Sequence, residues 1–364
     1  MKLLTFILLL LKGVWGMIYK ARLVVCFLLI LSGCSGAMTY PDSPNFNKKT
    51  ARFQHPTGDY HEKSFVDFFK FFAAYITQES DEKETTGFPV SISTKNDMAN
   101  FKENVMWVGH STLLLNHLDV TIMTDPHFSD RASPFSFMGP KRITPSPVEI
   151  VDLPRIDVVV ISHNHYDHLD EASIRGIART QPSVEFFVPL GLKSLLEKWG
   201  AERVTELDWW QQVQRKGVTI QPTPVQHWSK RTLFDRNKTL WSGWMLQWSD
   251  FSFYFAGDAG YSDDFKETAR RLGSPDLAAI PIGAYEPREF MESAHINPEE
   301  AVKAFGALGA KRAIGIHWGT FKLTLEPMKE PPLKLQKALK NGGVPEERFR
   351  ALRHGEKWPD AVTD

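Results

Sequence analysis

Residues 155–170, RIDVVVISHNHYDHLD, decide the fold of this 364-residue chain. The apolar run 158–161 predicts a buried strand, and a loop dense in metal-binding side chains follows it directly. Four such side chains lie within six positions: His163, His165, Asp167 and His168. Placing so many polar groups behind a buried strand is costly unless a metal ion compensates for the lost water. This stretch therefore predicts a metal site at the end of a strand.

The segments on either side of this motif alternate between strand and helix patterns. Residues 103–128 predict successive strands with a turn near Asn116–Asp119, and residues 170–180 predict a helix with Asp170 as its N-cap. Further strands and helices alternate up to the strand RAIGIHWGT, residues 312–320. This order predicts an α/β protein whose sheets are covered by helices.

Three more metal-binding side chains, His227, Asp258 and His317, stand where predicted strands end. Strand ends lie in one row at the edge of a sheet, so these side chains are expected to converge with the motif. The chain has only two cysteines, Cys26 and Cys34, so imidazole and carboxylate groups must bind any metal in the globular body. This donor set suits zinc, with iron or manganese as competitors.

We expect two metal ions. The first is predicted to be held by His163, His165 and His227. The second is predicted to be held by Asp167, His168 and His317, with Asp258 bridging the two ions. Two metals about 3.5–4 Å apart would hold a bridging hydroxide and clamp an in-line displacement at phosphorus.

The N-terminal residues 1–34 predict a targeting segment. Each of the stretches 1–16 and 17–34 has a cation followed by an apolar run too short to span a membrane, so Met17 is a candidate for the true start. LSGC, residues 31–34, resembles a lipobox, which predicts lipidation at Cys34 and a lipid anchor in a bacterial cell envelope, on the periplasmic face of the outer membrane. The alternative is a plain N-terminal membrane anchor.

Residues 35–50 are polar and predict a tether, and residues 51–364 predict a single domain without repeats. Within that domain, SFVDFFKFFAAYIT at 64–77 predicts a helix that faces either the core or lipid. The formal net charge is zero, with 43 basic and 43 acidic residues, which argues against a nucleic-acid partner.

The motif HxHxDH, followed by a His, an Asp and a His at strand ends, resembles the metallo-β-lactamase superfamily. WVGHSTLLL, TDPHFSDRASPFSFMGPKR, HWSKRTL, AIPIGAYEPR and IHWGTF resemble, more narrowly, the N-acylphosphatidylethanolamine-hydrolysing phospholipase D family. The resemblance implies an αβ/βα sandwich of two mixed sheets flanked by helices, with zinc and a homodimer. It also implies hydrolysis of a membrane phospholipid to phosphatidic acid and an N-acylethanolamine.

Two residues are predicted to be catalytic. Asp167 is predicted to act as a ligand of the second metal, and His295 is predicted to donate a proton or to position the phosphate. His295 follows a stretch that resembles family active-site loops. Tyr166 lies between ligands and is a candidate for substrate contact, as is His295. His110 and Asp125 are predicted to hold the ligand side chains in orientation.

Two charged residues and a group of tryptophans complete the prediction. Lys230 and Arg231 are candidates to offset phosphate charge. The tryptophans at 209, 210, 228, 241 and 244 are predicted to lie in the core.

Two other functions stay open at this stage. The same fold supports hydrolases of other phosphodiesters, lactones or β-lactams, because fold alone does not define a substrate. A lipoprotein that binds metal or lipid for envelope integrity, without catalysis, is the second alternative.

Overall fold

The protein is described by a computed structural model that covers residues 39–57, 64–77 and 88–358. The predicted targeting segment, the lipidation site Cys34 and residues 35–38 of the tether lie outside the described residues. No helix within these three ranges is both long enough and apolar enough to cross a bilayer.

Strands and helices alternate through most of the described chain. The strands are β1 (Phe46–Asn47), β2 (Arg52–Phe53), β3 (Asn104–Gly109), β4 (Thr112–His117), β5 (Val120–Thr124), β6 (Val158–Val160), β7 (Glu185–Pro189), β8 (Val204–Leu207), β9 (Val213–Arg215), β10 (Val218–Thr223), β11 (Gly243–Gln247), β12 (Ser252–Phe255), β13 (Leu277–Pro281), β14 (Arg312–Ile316), β15 (Phe349–Arg350) and β16 (Lys357–Trp358). The helices are α1 (Phe65–Thr77), α2 (Lys95–Ala99), α3 (Glu171–Thr180), α4 (Lys193–Lys198), α5 (Asp264–Leu272), α6 (Arg288–Met291), α7 (Pro298–Leu308) and α8 (Glu330–Gly342).

Two seven-stranded mixed sheets form the centre of the fold. The first has the order β16-β3-β4-β5-β6-β7-β8, and the second has the order β15-β14-β13-β12-β11-β10-β9. In each sheet one half is antiparallel and the other half is parallel, with the change at β5 and at β12. The predicted sandwich of two mixed sheets flanked by helices is confirmed.

The alternation of side chains along β3 shows how the first sheet is covered. Trp107 belongs to a buried cluster that also contains residues of the second sheet such as Trp244 and Phe253. Met106, on the opposite face, belongs to a cluster that contains Ile174 of α3. One face of the first sheet therefore packs on the second sheet and the other on helices, which leaves the strand ends free to carry polar groups.

The turn predicted near Asn116–Asp119 joins β4 to β5. His117 pairs with Val120, so Leu118 and Asp119 form a two-residue turn, and both have positive φ, 46° and 59°. This backbone matches the right-handed twist of the flanking strands. The hairpin brings the end of β5 to the parallel strand β6, which precedes the metal-binding motif.

The folded unit begins earlier than the sequence predicts. The compact unit starts at Tyr40, not at residue 51, because Phe46 of β1 and Phe53 of β2 are buried in the main core. Phe46 and Phe53 pack edge to face with ring centroids 5.2 Å apart, and Tyr40 packs against the same cluster. The predicted tether 35–50 is therefore wrong for residues 40–50. This segment is mostly polar, but Tyr40 and Phe46 within it pack on the core.

The phenylalanine-rich stretch forms the predicted helix, α1. It attaches to the domain through Phe71, which stacks on Phe290 at 4.8 Å, and through the Tyr75 hydroxyl, which donates to the Lys322 carbonyl. None of the α1 side chains that the structure describes is buried, and Val66 is 60% exposed. The described side chains of α1 thus lie at the surface of the domain.

Candidate metal centre

Several site residues stand directly after a strand, with a backbone that turns sharply. His110 follows β3, Asp125 follows β5 and His317 follows β14, with φ angles of 53°, 33° and 64°. Positive φ is uncommon for residues other than glycine and is retained where the surrounding structure imposes it. The turns let the ends of these three strands, two in the first sheet and one in the second, direct polar side chains into one volume.

A close backbone contact holds the loop of His317. A Cβ atom on Gly283, which follows β13, would lie 2.2 Å from the His317 carbonyl oxygen. Only glycine allows the two chain segments to approach this closely, so Gly283 sets the position of His317.

The first donor set combines His163, His165, His227 and Asp258. His163 Nε2 lies 2.7 Å from His165 Nδ1, and His227 Nε2 lies 3.3 Å from the same atom. Asp258 Oδ2 is 3.9 Å from His163 Nε2 and 3.7 Å from His227 Nε2. The structure thus brings together the three imidazoles predicted for the first metal.

The second donor set combines His110, Asp167, His168 and His317. His168 Nε2 and His317 Nε2 are 3.2 Å apart, and each is 3.4 Å from Asp167 Oδ2. His110 Nε2 lies 3.0 Å from the same Asp167 oxygen. The ligands predicted for the second metal are together, and His110 touches their carboxylate, where we predicted an orienting residue.

Asp258 contacts both donor sets. Its Oδ2 lies 3.1 Å from His168 Nε2, while its Oδ1 lies 3.0 Å from His317 Nε2. In each set imidazole nitrogens face one another, an arrangement that suits a shared cation better than hydrogen bonds between the rings. The residues therefore fit a pair of metal ions with Asp258 between them.

Electrostatics prepare the side chains of the first donor set for a cation. Burial lowers the pKa of His163 and His227 well below the ordinary value and that of His165 to about 3, because the imidazolium would lose its hydration. The neutral rings keep a lone pair for a metal. Burial by itself would raise the pKa of Asp258, but the neighbouring His168 and His317 hold it well below its usual range, so it stays a carboxylate.

Buried hydrogen bonds fix the orientation of two ligands. His168 Nδ1 pairs with Asp125 Oδ2 at 2.7 Å, and the Asp125 carboxylate also accepts from the Ser162 backbone N–H at 2.6 Å. His227 Nδ1 lies 3.0 Å from the Ala294 carbonyl oxygen. Both contacts direct the other ring nitrogen, Nε2, into the donor sets. Ser162 and Ala294 were missed by sequence reasoning, since neither residue type signals metal chemistry.

His295 lies beside the metal-binding residues, as predicted. Its Nδ1 is buried, makes no hydrogen bond and lies 3.8 Å from Asp258 Oδ2. Burial lowers the pKa of His295 to about 4, so the ring is neutral at pH 7 and can donate one N–H. Arg288 was also missed: its Nη1 donates to the His295 carbonyl at 2.9 Å, and its Nη2 donates to both carboxylate oxygens of Glu300.

Arg231 has a role that differs from the predicted one. Its Nη1 donates to the Leu169 carbonyl at 2.7 Å and to the Asn164 carbonyl at 3.0 Å, and its guanidinium lies 4.0 Å from the centre of the Tyr166 ring. Arg231 therefore braces the motif loop from behind, and its donors point at backbone instead of substrate. Tyr166 is half-buried on this support, and its contact with substrate stays a prediction.

The five tryptophans divide into two groups. Trp209, Trp241 and Trp244 are buried, as predicted. Trp210 and Trp228 are partly exposed, and Trp228 packs edge to face on His165 with centroids 4.3 Å apart. Trp228 is thus a wall of the metal centre as well as a packing residue.

The sequence profile described as Beta-lactamase superfamily domain matches residues 120–318, which include every predicted metal ligand. The chain belongs to the metallo-β-lactamase superfamily. Within it, the chain is 44% identical over 264 residues to a Caenorhabditis elegans protein named N-acyl-phosphatidylethanolamine-hydrolyzing phospholipase D 1, a match that covers 69% of this chain and 74% of that relative. A mitochondrial yeast protein of the same activity name is 39% identical over 244 residues, 65% of this chain and 52% of the relative.

Other matches agree with this assignment. An uncharacterized protein of Mycobacterium tuberculosis is 42% identical over 236 residues, 64% of this chain and 62% of the relative. Among solved structures, a metallo hydrolase from Ignicoccus hospitalis has a TM-score of 0.53 at 22% identity and covers 70% of this chain and 97% of its own. At that identity the likeness supports the fold alone. Together with the donor sets, these findings make the protein a metal-dependent hydrolase close to this phospholipase D group.

Proposed function

We propose that this protein is a di-zinc phosphodiesterase that hydrolyses N-acylphosphatidylethanolamine to N-acylethanolamine and phosphatidic acid. The observation that carries the proposal is the pair of donor sets joined by Asp258, in a chain 44% identical to a relative with that activity name. Imidazole and carboxylate donors without thiolate favour zinc, and the division into two sets favours two ions per chain.

A bound metal pair would supply a hydroxide nucleophile near neutral pH and compensate the charge of the phosphoryl oxygens. The chain's own residues set the geometry around it. Asp258 contacts ligands of both donor sets, Asp167 lies among the ligands of the second set, and Asp125 keeps His168 in its ring orientation. His295, neutral and braced by Arg288, positions the phosphate or donates its N–H toward the leaving oxygen. Tyr166, at the rim of the motif loop, contacts the substrate.

The proposal also covers location and assembly. A lipid anchor at Cys34 would tether the mature protein in a bacterial envelope, on the periplasmic face of the outer membrane, beside its phospholipid substrate. The family resemblance supports a homodimer.

Product analysis by mass spectrometry tests the proposal. Protein spanning residues 35–364, with its metal content quantified, is incubated with N-acylphosphatidylethanolamine in detergent micelles. The expected result is equimolar N-acylethanolamine and phosphatidic acid, with about two zinc ions per chain. Asp258→Ala is expected to abolish both metal binding and turnover. Asp263→Ala is the matched control, since that carboxylate is exposed five positions further on.

Each result has a defined meaning. A protein that carries two metals and releases neither product contradicts the substrate assignment and directs the search to other phosphodiesters, then lactones. An Asp258→Ala variant that turns over like the wild type contradicts the metal mechanism itself. His295→Ala is expected to lower turnover while the metal content is retained, and metal loss in that variant would reassign His295 to a structural role.

A further inference from the structure

Exposed large apolar side chains are unevenly distributed over the described residues. Four stand singly, as is ordinary on a protein surface: Ile92, Leu118, Val151 and Leu333. Val66 lies on α1. The other five occur on segments that follow predicted site residues. Four of them form two adjacent pairs, Phe137 with Met138 and Leu233 with Phe234, and the fifth is Tyr261. Adjacent exposed apolar residues beside a functional site mark an interaction surface.

The first loop, residues 126–147 and here called the Phe137 loop, starts directly after Asp125. Its base is fixed on α3, since the Ser129 hydroxyl donates to Asp170 at 2.7 Å. Arg131 donates to the carbonyls of Ser136 and Gly139, which shapes the tip from within. Phe137 is nevertheless 76% exposed and Met138 55% exposed. The tip therefore has internal hydrogen bonds, but its two apolar side chains face solvent.

The second loop, residues 228–239 and here called the Phe234 loop, starts directly after His227. Arg231 anchors it to the motif loop through the Leu169 carbonyl, and Asp235 accepts from the backbone N–H groups of Arg231 and Thr232. Its tip leaves Leu233 58% exposed and Phe234 67% exposed. Both loops are thus fixed at their bases to residues 164–170 of the motif loop, and each carries an exposed apolar tip.

The two loops are also basic. They contain seven Lys and Arg residues and two Asp residues, in a chain whose formal net charge is zero. Three of the seven cations donate to backbone carbonyls within the fold: Arg131, Arg142 and Arg231. Of the two acids, Asp235 is engaged with backbone N–H groups. Lys141 and Lys238 are exposed beside the apolar tips. Apolar side chains flanked by cations match the interface of an anionic bilayer, where insertion and headgroup attraction act together.

We propose that the tips of the Phe137 and Phe234 loops insert into an anionic lipid surface and hold the metal centre against the headgroups. This inference rests on the proposed lipid substrate. It adds a docking surface that is independent of the N-terminal anchor and that belongs to the hydrolase domain itself. The loops would orient the domain so that a phosphodiester reaches the donor sets without leaving the bilayer.

Vesicle flotation tests this docking surface. The metal-loaded protein of residues 35–364 contains the whole folded unit from Tyr40 and lacks the lipid anchor. It is mixed with vesicles of phosphatidylcholine, alone or with phosphatidylglycerol, but without N-acylated lipid. We expect binding that is stronger with phosphatidylglycerol and weakened by salt. A combined Phe137→Ser, Met138→Ser, Leu233→Ser and Phe234→Ser variant is expected to bind roughly tenfold or more weakly.

The matched control replaces four exposed apolar residues away from the centre: Ile92→Ser, Leu118→Ser, Val151→Ser and Leu333→Ser. It should bind vesicles like the wild type, and thermal unfolding should show that both variants are folded. The proposal is overturned if the loop variant binds as the wild type does, if the control loses binding equally, or if the wild type binds neither vesicle. A loop variant that loses dimerisation instead would identify the tips as a contact between copies. Since no substrate is present, loop-dependent binding stands even if the hydrolysis assay fails.

Discussion

At the scale of single residues, the centre depends on side chains that touch the ligands from behind. Asp125 is fully buried and accepts from His168 Nδ1 and from the Ser162 backbone N–H. Its carboxylate therefore fixes both the tautomer and the direction of a predicted ligand.

Asp125→Asn tests this support with little change in volume. The amide cannot accept from all its present donors, so His168 should lose its fixed orientation. We expect metal affinity to fall by roughly 10–100-fold, measured by competition with a chromophoric chelator. Asp152→Asn, in a partly exposed 3-10 turn, is the control. Unchanged affinity in Asp125→Asn would mean that His168 does not need this partner.

A second residue-scale prediction concerns His354, which lies outside the ligand sets. Its Nε2 is 2.8 Å from the Thr320 hydroxyl and its ring packs on Trp107. Burial, with a smaller effect of Arg142, lowers its pKa to about 3. In the unfolded chain the pKa is near 6.5, so below that pH only the unfolded state takes up this proton. The stability contribution is complete above pH 6.5 and is lost as the pH falls toward 3.

The free energy of unfolding of the metal-free protein should therefore decrease more steeply with falling pH than that of His354→Gln. The expected difference is about 2 kcal/mol between pH 7 and pH 5, from denaturant titrations of both proteins. The ligand histidines contribute equally to both curves. Identical slopes would show that His354 binds its proton over the same pH range in the native and unfolded states.

At the scale of elements, the turns after the strands decide where the ligands point. β13 and β14 run in parallel, and the loops that leave them cross at Gly283 and His317. The absence of a side chain at Gly283 is what permits this crossing.

Gly283→Ala should displace the His317 backbone, because the new Cβ would overlap its carbonyl oxygen. We expect loss of roughly one metal per chain and of most activity, by elemental analysis and product assay. Gly306→Ala on α7 is the matched control, since a Cβ there meets no atom within 4 Å. Full metal content in Gly283→Ala would show that the loop adjusts without cost.

The segment 285–297, which includes α6, is a second element whose geometry positions His295. Arg288 joins the His295 carbonyl to Glu300, and Glu300 also completes the capping box of α7 with Asn297. Arg288→Met should lower kcat about tenfold with unchanged metal content, because His295 loses its backbone support. Arg288→Lys should have a kcat close to that of Arg288→Met, since lysine lacks the planar guanidinium whose two nitrogens reach both partners.

The control for this loop is Arg270→Met, which removes an exposed arginine paired with Glu267 on α5. It should keep the wild-type kcat. A rise in KM with unchanged kcat in Arg288→Met would place the loop in substrate binding instead of positioning His295 for the reaction.

At the scale of the whole molecule, the metal centre connects the two sheets. His163, His165, Asp167 and His168 follow β6 of the first sheet, whereas His227, Asp258 and His317 follow strands of the second. A cation bound by both groups would stabilise the sandwich as a whole and not only the loops.

Removal of the metal should therefore lower the melting temperature. At metal concentrations of 100 to 1,000 times Kd the stabilisation is about 3–4 kcal/mol, which corresponds to roughly 5 °C for a domain of this size. Calorimetry with and without a chelator measures the difference, and added zinc should restore it. Asp258→Asn should reduce this metal dependence. Equal melting temperatures for the metal-free and metal-loaded protein would contradict a centre that links the sheets.

The sequence by itself predicted which side chains come together at the site. A dense motif behind an apolar run, and three polar residues at the ends of apolar strands, predict the ligand set because strand ends share one edge of a sheet. The same local periodicity predicted the hairpin and most helices. It misjudged residues 40–50, because only burial distinguishes Phe46 as an anchor from an aromatic residue in a tether.

Only the tertiary structure decided which distant groups support the site. Ala294, Arg288, Gly283 and the bracing Arg231 have no local signal, since each acts through a contact between segments far apart in the chain. The exposed tips of the two loops were equally hidden, because exposure depends on what the rest of the fold fails to cover. Residue types and their spacing are local features, so they predict which groups can bind a metal. The orientation and exposure of a side chain depend on segments far away in the chain, so only the packed structure shows them.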